Sequence, residues 1–477
     1  MTDRRSFFQQ VGSGCLGAAL ASLLSEDLYG GEQLSQPSTA RTLAPRQPGS
    51  TAKANSVIHL FMNGGPSQMD LFDPKPKLDQ LHGKDYFDQI AGEVENPEAA
   101  GSLFRCPFKF AQHGQSGQWV SSVMPYLSQC VDDIAFLKGM HTTNLTHEPA
   151  IFKIHSGQEM PGLPTLGAWV TYGLGSENRN LPAYVVLDDP KGLPVNHTQS
   201  WQAGYLPPMF QGTRFRSTGS PVLNLDRDFN EPNSVTAIER NLLRNLDQIH
   251  QLSRPSQPQL GARIASYELA ARMQLAASDA LDISQETEAT RRMYGIGQPA
   301  TDSYGRRCLY ARRLVERGVR FVQLFIEFQI WDNHTGIKSG LESACLKTDQ
   351  PIAALLTDLK QRGLLDETLV VWGGEFGRLP IAQLPGDKNE SNAGRDHNKN
   401  AMVSWMAGGG VRGGCSFGGR GELDCAAVEG KVSVEDFHAT ILNQLGLHHE
   451  ELFYLRNGLR ERLTGVNDPR VITEILA

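Results

Sequence analysis

The chain has no long run of apolar residues and no cluster of charges of one sign. Beyond its N-terminal stretch, no segment approaches the ~20 consecutive apolar residues that a membrane-spanning helix needs. The formal net charge of −7 comes from 45 Lys and Arg against 52 Asp and Glu, without a basic run. We therefore expect neither an integral membrane segment nor nucleic acid as a partner.

Cysteine is scarce, with seven residues in 477, and no two cysteines have the CxxC spacing of a zinc site. Six of them follow the N-terminal stretch, an even number that permits disulfides in an exported protein. Cys415 and Cys425 bracket a glycine-rich loop and are the first candidate pair. Free buried thiols are an equally good interpretation.

The N-terminus has the order of features typical of a twin-arginine export signal. Arg4 and Arg5 precede Ser6-Phe-Phe, and a mildly apolar stretch rich in Gly and Ala follows over 11–24. The alternative is a disordered basic start. We expect a signal peptide over 1–30 and a Ser-, Pro- and Gln-rich flexible linker over 31–56, and hence a periplasmic or otherwise extracytoplasmic protein.

The remaining residues predict an α/β fold. Thr368–Trp372 and Val57–Met62 are short apolar runs that end abruptly at glycines, which is typical of buried strands. Helical patterns precede strands at 311–318 and again at 351–362, and this order favours parallel pairing through crossover helices. Apolar residues at helical spacing in 234–251 and 260–281 indicate a helical covering.

Two motifs place these strands in a known superfamily. Thr368–Gly377 resembles the T-L-V-I-F-T-S-D-H/N-G segment of sulfatases and other members of the alkaline phosphatase superfamily. The resemblance puts Glu375 on a metal-binding Asp and Phe376 on a second ligand, which Phe376 cannot replace. Asn63 falls near the place of another superfamily Asp, at the end of the first predicted strand.

A second resemblance covers almost everything from Val57 to the C-terminus. The run Gly-Gly-Pro-Ser-x-x-Asp-x-Phe-Asp-Pro-Lys-Pro over 64–76 resembles the exported domain of unknown function 1501 proteins, a branch of the same superfamily. Further matches are 266–270, 311–321, 331–334, 374–378 and 394–397. This implies a single alkaline phosphatase/sulfatase-like α/β domain over 57–477, with a central, mostly parallel sheet flanked by helices and a helical insertion near 234–300.

The histidine-rich stretch 141–157 aligns with the sulfatase nucleophile segment C-x-P-S-R-x-x-L-x-T-G through Pro149 and Gly157. His147 then takes the place of the modified cysteine, so formylglycine chemistry is excluded there. His147 is either a metal ligand, a nucleophile or acid–base group, or a loop histidine. His397 takes the place of a superfamily histidine that precedes a strand and completes the site.

These considerations give two sets of candidate site residues. The catalytic candidates are His147, Ser67 and His334, and the metal-ligand candidates are Glu375, Asp396, His397, Asp70 and Asp332. Carboxylates together with imidazoles suit Zn²⁺ or Mn²⁺, and a carboxylate-weighted site also accepts Ca²⁺ or Mg²⁺.

We therefore expect an exported metal-dependent hydrolase of phosphate or sulfate esters, acting on a small-molecule or glycan ester. The alternative is a non-catalytic binding or scaffold protein that keeps the fold, as Asn63 and Phe376 indicate. The sequence leaves the oligomeric state open.

Overall fold

A computed structural model describes residues 43–216, 233–254 and 258–477. The expected signal peptide over 1–30 lies outside the described residues. Within them, no helix is both long enough and apolar enough to cross a membrane. Residues 43–55, from the expected linker, lie along the folded body: the Arg46 and Lys53 amides donate to the carbonyls of Leu174 and Gln444, and Ala54 is buried.

An eight-stranded sheet forms the centre of the molecule. Numbered in chain order, its strands are β1 (Ser56–Phe61), β2 (Ile134–Met140), β3 (Tyr184–Leu187), β4 (Thr213–Phe215), β5 (Phe321–Leu324), β6 (Thr368–Gly373), β7 (Met402–Ala407) and β8 (Cys415–Phe417). Their spatial order is β8-β2-β7-β6-β1-β5-β3-β4. All neighbours are parallel except β7, which runs antiparallel to β2 and β6.

Helices cover both faces of this sheet. They are α1 (Gln68–Leu71), α2 (Pro76–Leu81), α3 (Phe87–Ile90), α4 (His147–Ser156), α5 (Leu166–Leu174), α6 (Asn233–Leu252), α7 (Pro258–Leu281), α8 (Glu288–Met293), α9 (Asp302–Glu316), α10 (Ile337–Gln361) and α11 (Val434–Gln444). Two-stranded ribbons pair Ala100–Leu103 with Ile381–Gln383, Phe110–His113 with Gln118–Ser121, Gly377–Arg378 with His397–Asn398, Gly419–Arg420 with Ala427–Glu429, and Phe453–Arg456 with Leu459–Arg462.

The strands are apolar on both faces because each face has its own hydrophobic core. Ile58 and Leu60 of β1 pack into the core that α9 and α10 cover. Val57 and Phe61 point the other way, into the core covered by α4, α5 and α11. This alternation follows from the two-residue period of a strand, and it explains why the central strands read as continuous apolar runs.

The expected fold class is confirmed: a mixed α/β protein with a large, mostly parallel sheet between helices. The predicted strands and helices are present, with two differences. The predicted 351–362 helix is the second half of α10, which continues through Pro351. The strand expected after His397 is β7, and it is antiparallel because the chain returns beside β6 through the short ribbon that carries His397.

The cysteines of the described residues are free thiols. Cys415 and Cys425 are therefore not paired, and the free-thiol interpretation is the correct one. Cys415 lies on β8, where its Sγ donates to the Arg412 carbonyl at 2.9 Å.

Candidate metal centre

The candidate site lies where three neighbouring parallel strands end. β1 leads into Gly64-Gly65, β5 leads into the loop that carries Asp332, and β6 leads into Glu375. Parallel strands end at the same edge of a sheet, where the connecting loops diverge and leave a crevice. The α/β topology therefore brings together groups that are far apart in sequence, such as the Gly64 amide and the Glu375 carboxylate, which are separated by 311 positions.

The loop that follows β1 approaches the site closely because two of its residues, Gly64 and Gly65, have no side chain. Gly64 has φ of +115° and Gly65 has φ of +71°, both in the region that favours glycine. A Cβ atom at Gly64 would lie 2.5 Å from the Asp332 backbone nitrogen. At Gly65 it would lie 2.6 Å from the Phe376 ring. Glycine is thus required for the loop to pass between Asp332 and Phe376.

Three histidines surround the Asp332 carboxylate. The Nε2 atoms of His147, His334 and His397 lie 3.3, 3.0 and 3.3 Å from its two oxygens. Each of these four residues offers one potential metal-ligand atom, and the four atoms all lie within 4.8 Å of one another. Such a group of three imidazoles and one carboxylate is a set that could hold a metal ion.

Each histidine is oriented through its other ring nitrogen. His147 Nδ1 lies 2.6 Å from Glu375 Oε1, His334 Nδ1 lies 2.5 Å from Gln383 Oε1, and His397 Nδ1 lies 2.5 Å from Glu95 Oε2. A carboxylate or amide oxygen only accepts, so Nδ1 of His147 and Nδ1 of His334 each carry a proton. The contact of His397 Nδ1 with Glu95 is a close ion-pair distance without the geometry of a hydrogen bond. In the neutral ring the lone pair is then on Nε2, which faces the common centre. This outer arrangement is the one that metal-binding histidines use.

The charged residues of this cluster shift one another's pKa values. Burial lowers the pKa of His147, but its interactions with Asp332 and Glu375 outweigh burial and raise it to about 9. His334 has a raised pKa because its interaction with Asp332 likewise outweighs burial. Burial favours the neutral form of Asp332, yet the three histidines and Arg378 hold its pKa far below the ordinary value. Without a cation, the centre must therefore hold protons to balance its carboxylates.

The cluster fits a metal ion on its own geometry. His147 Nε2 is buried and makes no hydrogen bond within the described part of the chain, although Asp332 lies close to it. Without a cation this nitrogen must carry a proton beside Asp332, as the raised pKa of His147 indicates. A divalent cation would satisfy this nitrogen and the two other Nε2 atoms together.

Glu375 is fully buried and lies behind His147. Its Oε1 accepts from Gly64 N–H at 2.9 Å, and its Oε2 from Gly65 N–H at 3.3 Å. The same carboxylate holds His147 Nδ1. Glu375 is thus placed to orient a ligand, and it is not one of the four residues whose donor atoms converge.

Arg378 and Phe376 close the floor of the site. Arg378 is fully buried, and it donates to Asp332 Oδ1 at 2.7 Å and to the Gly65 carbonyl at 2.8 Å. The Phe376 ring lies 4.3 Å from the His397 ring and 4.8 Å from the His147 ring, centroid to centroid. Phe376 therefore packs against two of the histidines from one side.

Ser67 and Asp70 lie in a neighbouring buried network. Ser67 Oγ donates to Asp70 Oδ2 at 2.5 Å. Both Asp70 oxygens also accept from the Arg395 guanidinium, at 2.7 and 3.0 Å. In such a bidentate Arg–carboxylate pair, both carboxylate oxygens accept hydrogen bonds from the guanidinium group. Asp70 and Ser67 are not members of the four-residue group.

Asp396 accepts hydrogen bonds from the backbone. Its Oδ2 accepts from the amides of Glu95 and Asn96 at 2.9 and 3.0 Å, and its Oδ1 from the His397 amide at 2.8 Å. With Glu95 and His397 it forms a second group whose donor atoms lie close together. Its hydrogen bonds fix the loop that carries Glu95 against His397.

Of the eight candidates, four converge at the centre: His147, His334, His397 and Asp332. Glu375 and Asp396 lie behind these four residues. Ser67 and Asp70 belong to the neighbouring Arg395 network. The sequence interpretation missed Glu95, Gln383 and Arg378. Arg378 lies three residues after Glu375 in the matched segment 374–378, and this position could have identified it as a site residue. Glu95 and Gln383 lie in loops without a distinguishing pattern.

Comparison with known proteins places the chain in a family. A search of curated proteins finds no match. Similar solved structures include a lipoteichoic acid synthase from Listeria monocytogenes (10% identity, TM-score 0.36, covering 84% of this chain and 76% of that one) and a phosphonate monoester hydrolase from Silicibacter pomeroyi (11%, 0.36, 88% and 76%). Another is the alkaline phosphatase from the Antarctic bacterium TAB5 (11%, 0.31, 75% and 92%).

TM-scores this low carry no argument about the activity of this chain. The family assignment rests instead on the sequence, since a family model matches residues 54–476. The chain therefore belongs to the family described as protein of unknown function (DUF1501), as its motifs indicated.

Proposed function

We propose that the protein is an exported metal-dependent hydrolase of phosphate or sulfate esters. The observation that carries the proposal is the convergence of three histidine Nε2 atoms on Asp332, with each Nδ1 within 2.6 Å of a side-chain oxygen. A divalent ion bound there would act as a Lewis acid on an ester oxygen and would lower the pKa of water.

The donor set narrows the choice of metal. Three imidazoles and one carboxylate suit Zn²⁺ or Mn²⁺ better than Ca²⁺ or Mg²⁺, which prefer sites built from oxygen. Asp332 would supply the single anionic donor, and Arg378 would keep it oriented through their 2.7 Å contact. We therefore propose Zn²⁺ or Mn²⁺ as the resident ion.

The nucleophile in this proposal is water. His147 occupies the place of the sulfatase nucleophile, but its Nε2 belongs to the candidate metal centre. The Ser67 hydroxyl donates to Asp70, whose charge the Arg395 guanidinium already neutralises. A carboxylate paired in this way is a poor general base, so Ser67 is not activated.

Metal analysis and kinetics test the proposal together. Wild-type protein should contain or take up Zn²⁺ or Mn²⁺ and should hydrolyse an aryl phosphate or aryl sulfate. Hydrolysis should fall at least about a hundredfold in His334→Ala and His397→Ala, the range typical of losing a catalytic group. Ser67→Ala should keep most of the activity. His448→Gln, at an exposed histidine, is the matched control.

Two outcomes would contradict the proposal. If the protein does not bind Zn²⁺, Mn²⁺, Ca²⁺ or Mg²⁺ and none of these ions raises its thermal stability, the metal centre does not exist. If Ser67→Ala loses as much activity as His397→Ala, then water is not the nucleophile.

A binding protein that holds a metal without catalysis is the second candidate. Asn63 favours it, because its side-chain amide is buried and donates to the Ile326 carbonyl at 3.0 Å. Neither Asn63 nor Phe376 can add a charged ligand at positions where the resemblance places ligands. Stoichiometric metal binding without hydrolysis of any phosphate or sulfate ester would favour this candidate.

Export through the twin-arginine pathway is part of the proposal. It rests on the order of Arg4-Arg5, the aromatic pair and the weak apolar stretch. A pathway that exports folded proteins would let the metal enter before transport.

A further inference from the structure

Helix α6 carries an apolar stripe that the described part of the chain does not cover. Its members are Val235, Ile238, Leu242, Leu246, Ile249 and Leu252, which expose between 39% and 81% of their surface. Six such side chains present on the order of 500 Å² of apolar surface, near the upper end of the largest patch on a typical monomer. A stripe of this size marks an interaction surface.

Five of the six stripe residues have the spacing of a coiled coil, and Leu246 lies at a flanking e position. Val235, Leu242 and Ile249 recur every seven residues, and so do Ile238, Asn245 and Leu252. These are the a and d positions of three heptads, in which apolar side chains face a partner helix. The opposite side of α6 faces α7, where Arg244 Nε lies 3.4 Å from Glu268.

The composition of α6 favours another helix over a membrane surface. The helix has two acidic residues and two arginines, and it contains no Trp, Tyr or Phe. Interfacial membrane helices are instead rich in Lys and Arg on the polar face and carry aromatic anchors on the other.

Asn245 identifies the partner helix. It is the one polar residue at an a or d position of α6. A side-chain amide both donates and accepts, so it can pair with an identical amide. Two α6 helices that lie parallel and in register bring Asn245 opposite its own equivalent, whereas an antiparallel pair would place it against an apolar side chain without a partner.

We propose that the protein forms a homodimer in which the α6 helices of two copies pair as a parallel, in-register coiled coil. With the flanking groups of the helices, the stripe approaches the ~800 Å² per partner of a stable interface. Because α6 belongs to the helical insertion and not to the sheet edge that carries His147, dimerisation is independent of the proposed hydrolysis.

Light scattering coupled to size-exclusion chromatography tests the proposal on the full chain. Wild type should have twice the monomer mass over a wide concentration range. Leu242→Lys combined with Ile249→Lys should shift it to monomer, because two pairs of buried charges would face each other. Leu243→Lys combined with His250→Lys adds the same charge at two exposed b positions, which lie outside the seam and its flanks, and should remain a dimer.

Oxidative cross-linking tests the register. Asn245→Cys should form an intermolecular disulfide, because equivalent d positions meet in a parallel pair. Asp247→Cys, on the outer face, should not exceed the wild-type background. A monomeric wild type, or a dimer that survives the double lysine substitution, would overturn the proposal. So would a dimer in which Asn245→Cys fails to cross-link. A monomer that co-sediments with phosphatidylglycerol vesicles through this stripe would also overturn it and assign the stripe to membranes.

Discussion

Three histidines buried away from the candidate metal centre should make the fold sensitive to acid. His59 on β1, His155 on α4 and His438 on α11 are each at most 4% exposed. Neither ring nitrogen of His155 finds a hydrogen-bond partner among the described residues. Its ring lies 4.5 Å from Phe61 and 5.8 Å from Phe325. Such an environment excludes the charged form.

The direction of the pH effect follows from linkage. Burial lowers the pKa of His59 to about 3 and that of His438 to about 4, and it places the pKa of His155 well below its ordinary value. Lys153, which pairs with Glu435 beside His438, adds to the lowering, and Glu435 opposes it. Below about pH 6.5 the unfolded chain therefore binds more protons than the folded one, and stability falls as the pH falls.

The magnitude is about 2 kcal/mol for each histidine between pH 8 and pH 5, or about 6 kcal/mol for the three. His147 and His334, whose pKa values are raised, act in the opposite direction. Their stabilisation is present below about pH 6.5 and, for His147, is lost as the pH rises through about 9. A comparison of wild type with a variant removes these common contributions.

His155→Phe isolates one histidine, since the new ring enters an aromatic environment without a charge to lose. Thermal unfolding in EDTA should show the variant losing about 2 kcal/mol less than wild type from pH 8 to pH 5, which is roughly 2 °C in Tm for a fold of this size. His448→Gln, at an exposed histidine, should follow the wild type. Parallel curves for wild type and His155→Phe would refute the assignment of His155 as a buried neutral group.

Further predictions concern the site, the core and export. Gly64→Ala should lower stability by at least about 2 kcal/mol and weaken metal uptake, measured by thermal unfolding and metal analysis, because its Cβ would meet a backbone nitrogen at 2.5 Å. Asp70→Asn should cost about 3–5 kcal/mol in denaturant unfolding, because it leaves a buried arginine unpaired; an unchanged midpoint would show that the pair contributes nothing. Arg4→Lys with Arg5→Lys should trap the precursor in the cytoplasm, as fractionation would show, since lysine lacks the planar guanidinium group; normal processing would mean that the signal is misread.

The sequence determined the fold class because local patterns suffice for it. Short β-branched runs that end at glycines are typical of buried strands, and alternation with helical segments favours parallel pairing. The strands predicted at 57–62 and 368–372 agree with β1 and β6 within one residue, and the strand expected after the helical pattern at 311–318 is β5. The sequence does not predict the antiparallel direction of β7, which depends on the ribbon that reverses the chain between Arg378 and His397.

For the site, the sequence supplied the residues but not their roles. His147, Asp332, His334 and His397 were identified from motifs, yet ligands and catalytic groups were divided by analogy. Only the fold could show that Glu375 lies behind His147, because burial and the Gly64 amide decide where its carboxylate points. Asp70 is a ligand candidate by sequence, and only the fold shows that its carboxylate pairs with Arg395, 325 residues away in sequence.

The family, the α/β architecture and the supply of imidazoles and carboxylates thus follow from sequence patterns alone. The tertiary structure decided which of these groups converge, because the ends of β1, β5 and β6 meet at one sheet edge whatever their separation along the chain. It also decided which groups are neutralised, as Asp70 is by Arg395, and which are oriented, as His397 is by Glu95. Long-range pairing of this kind leaves no local pattern in the sequence, since each partner looks like an ordinary loop residue until the chain is folded.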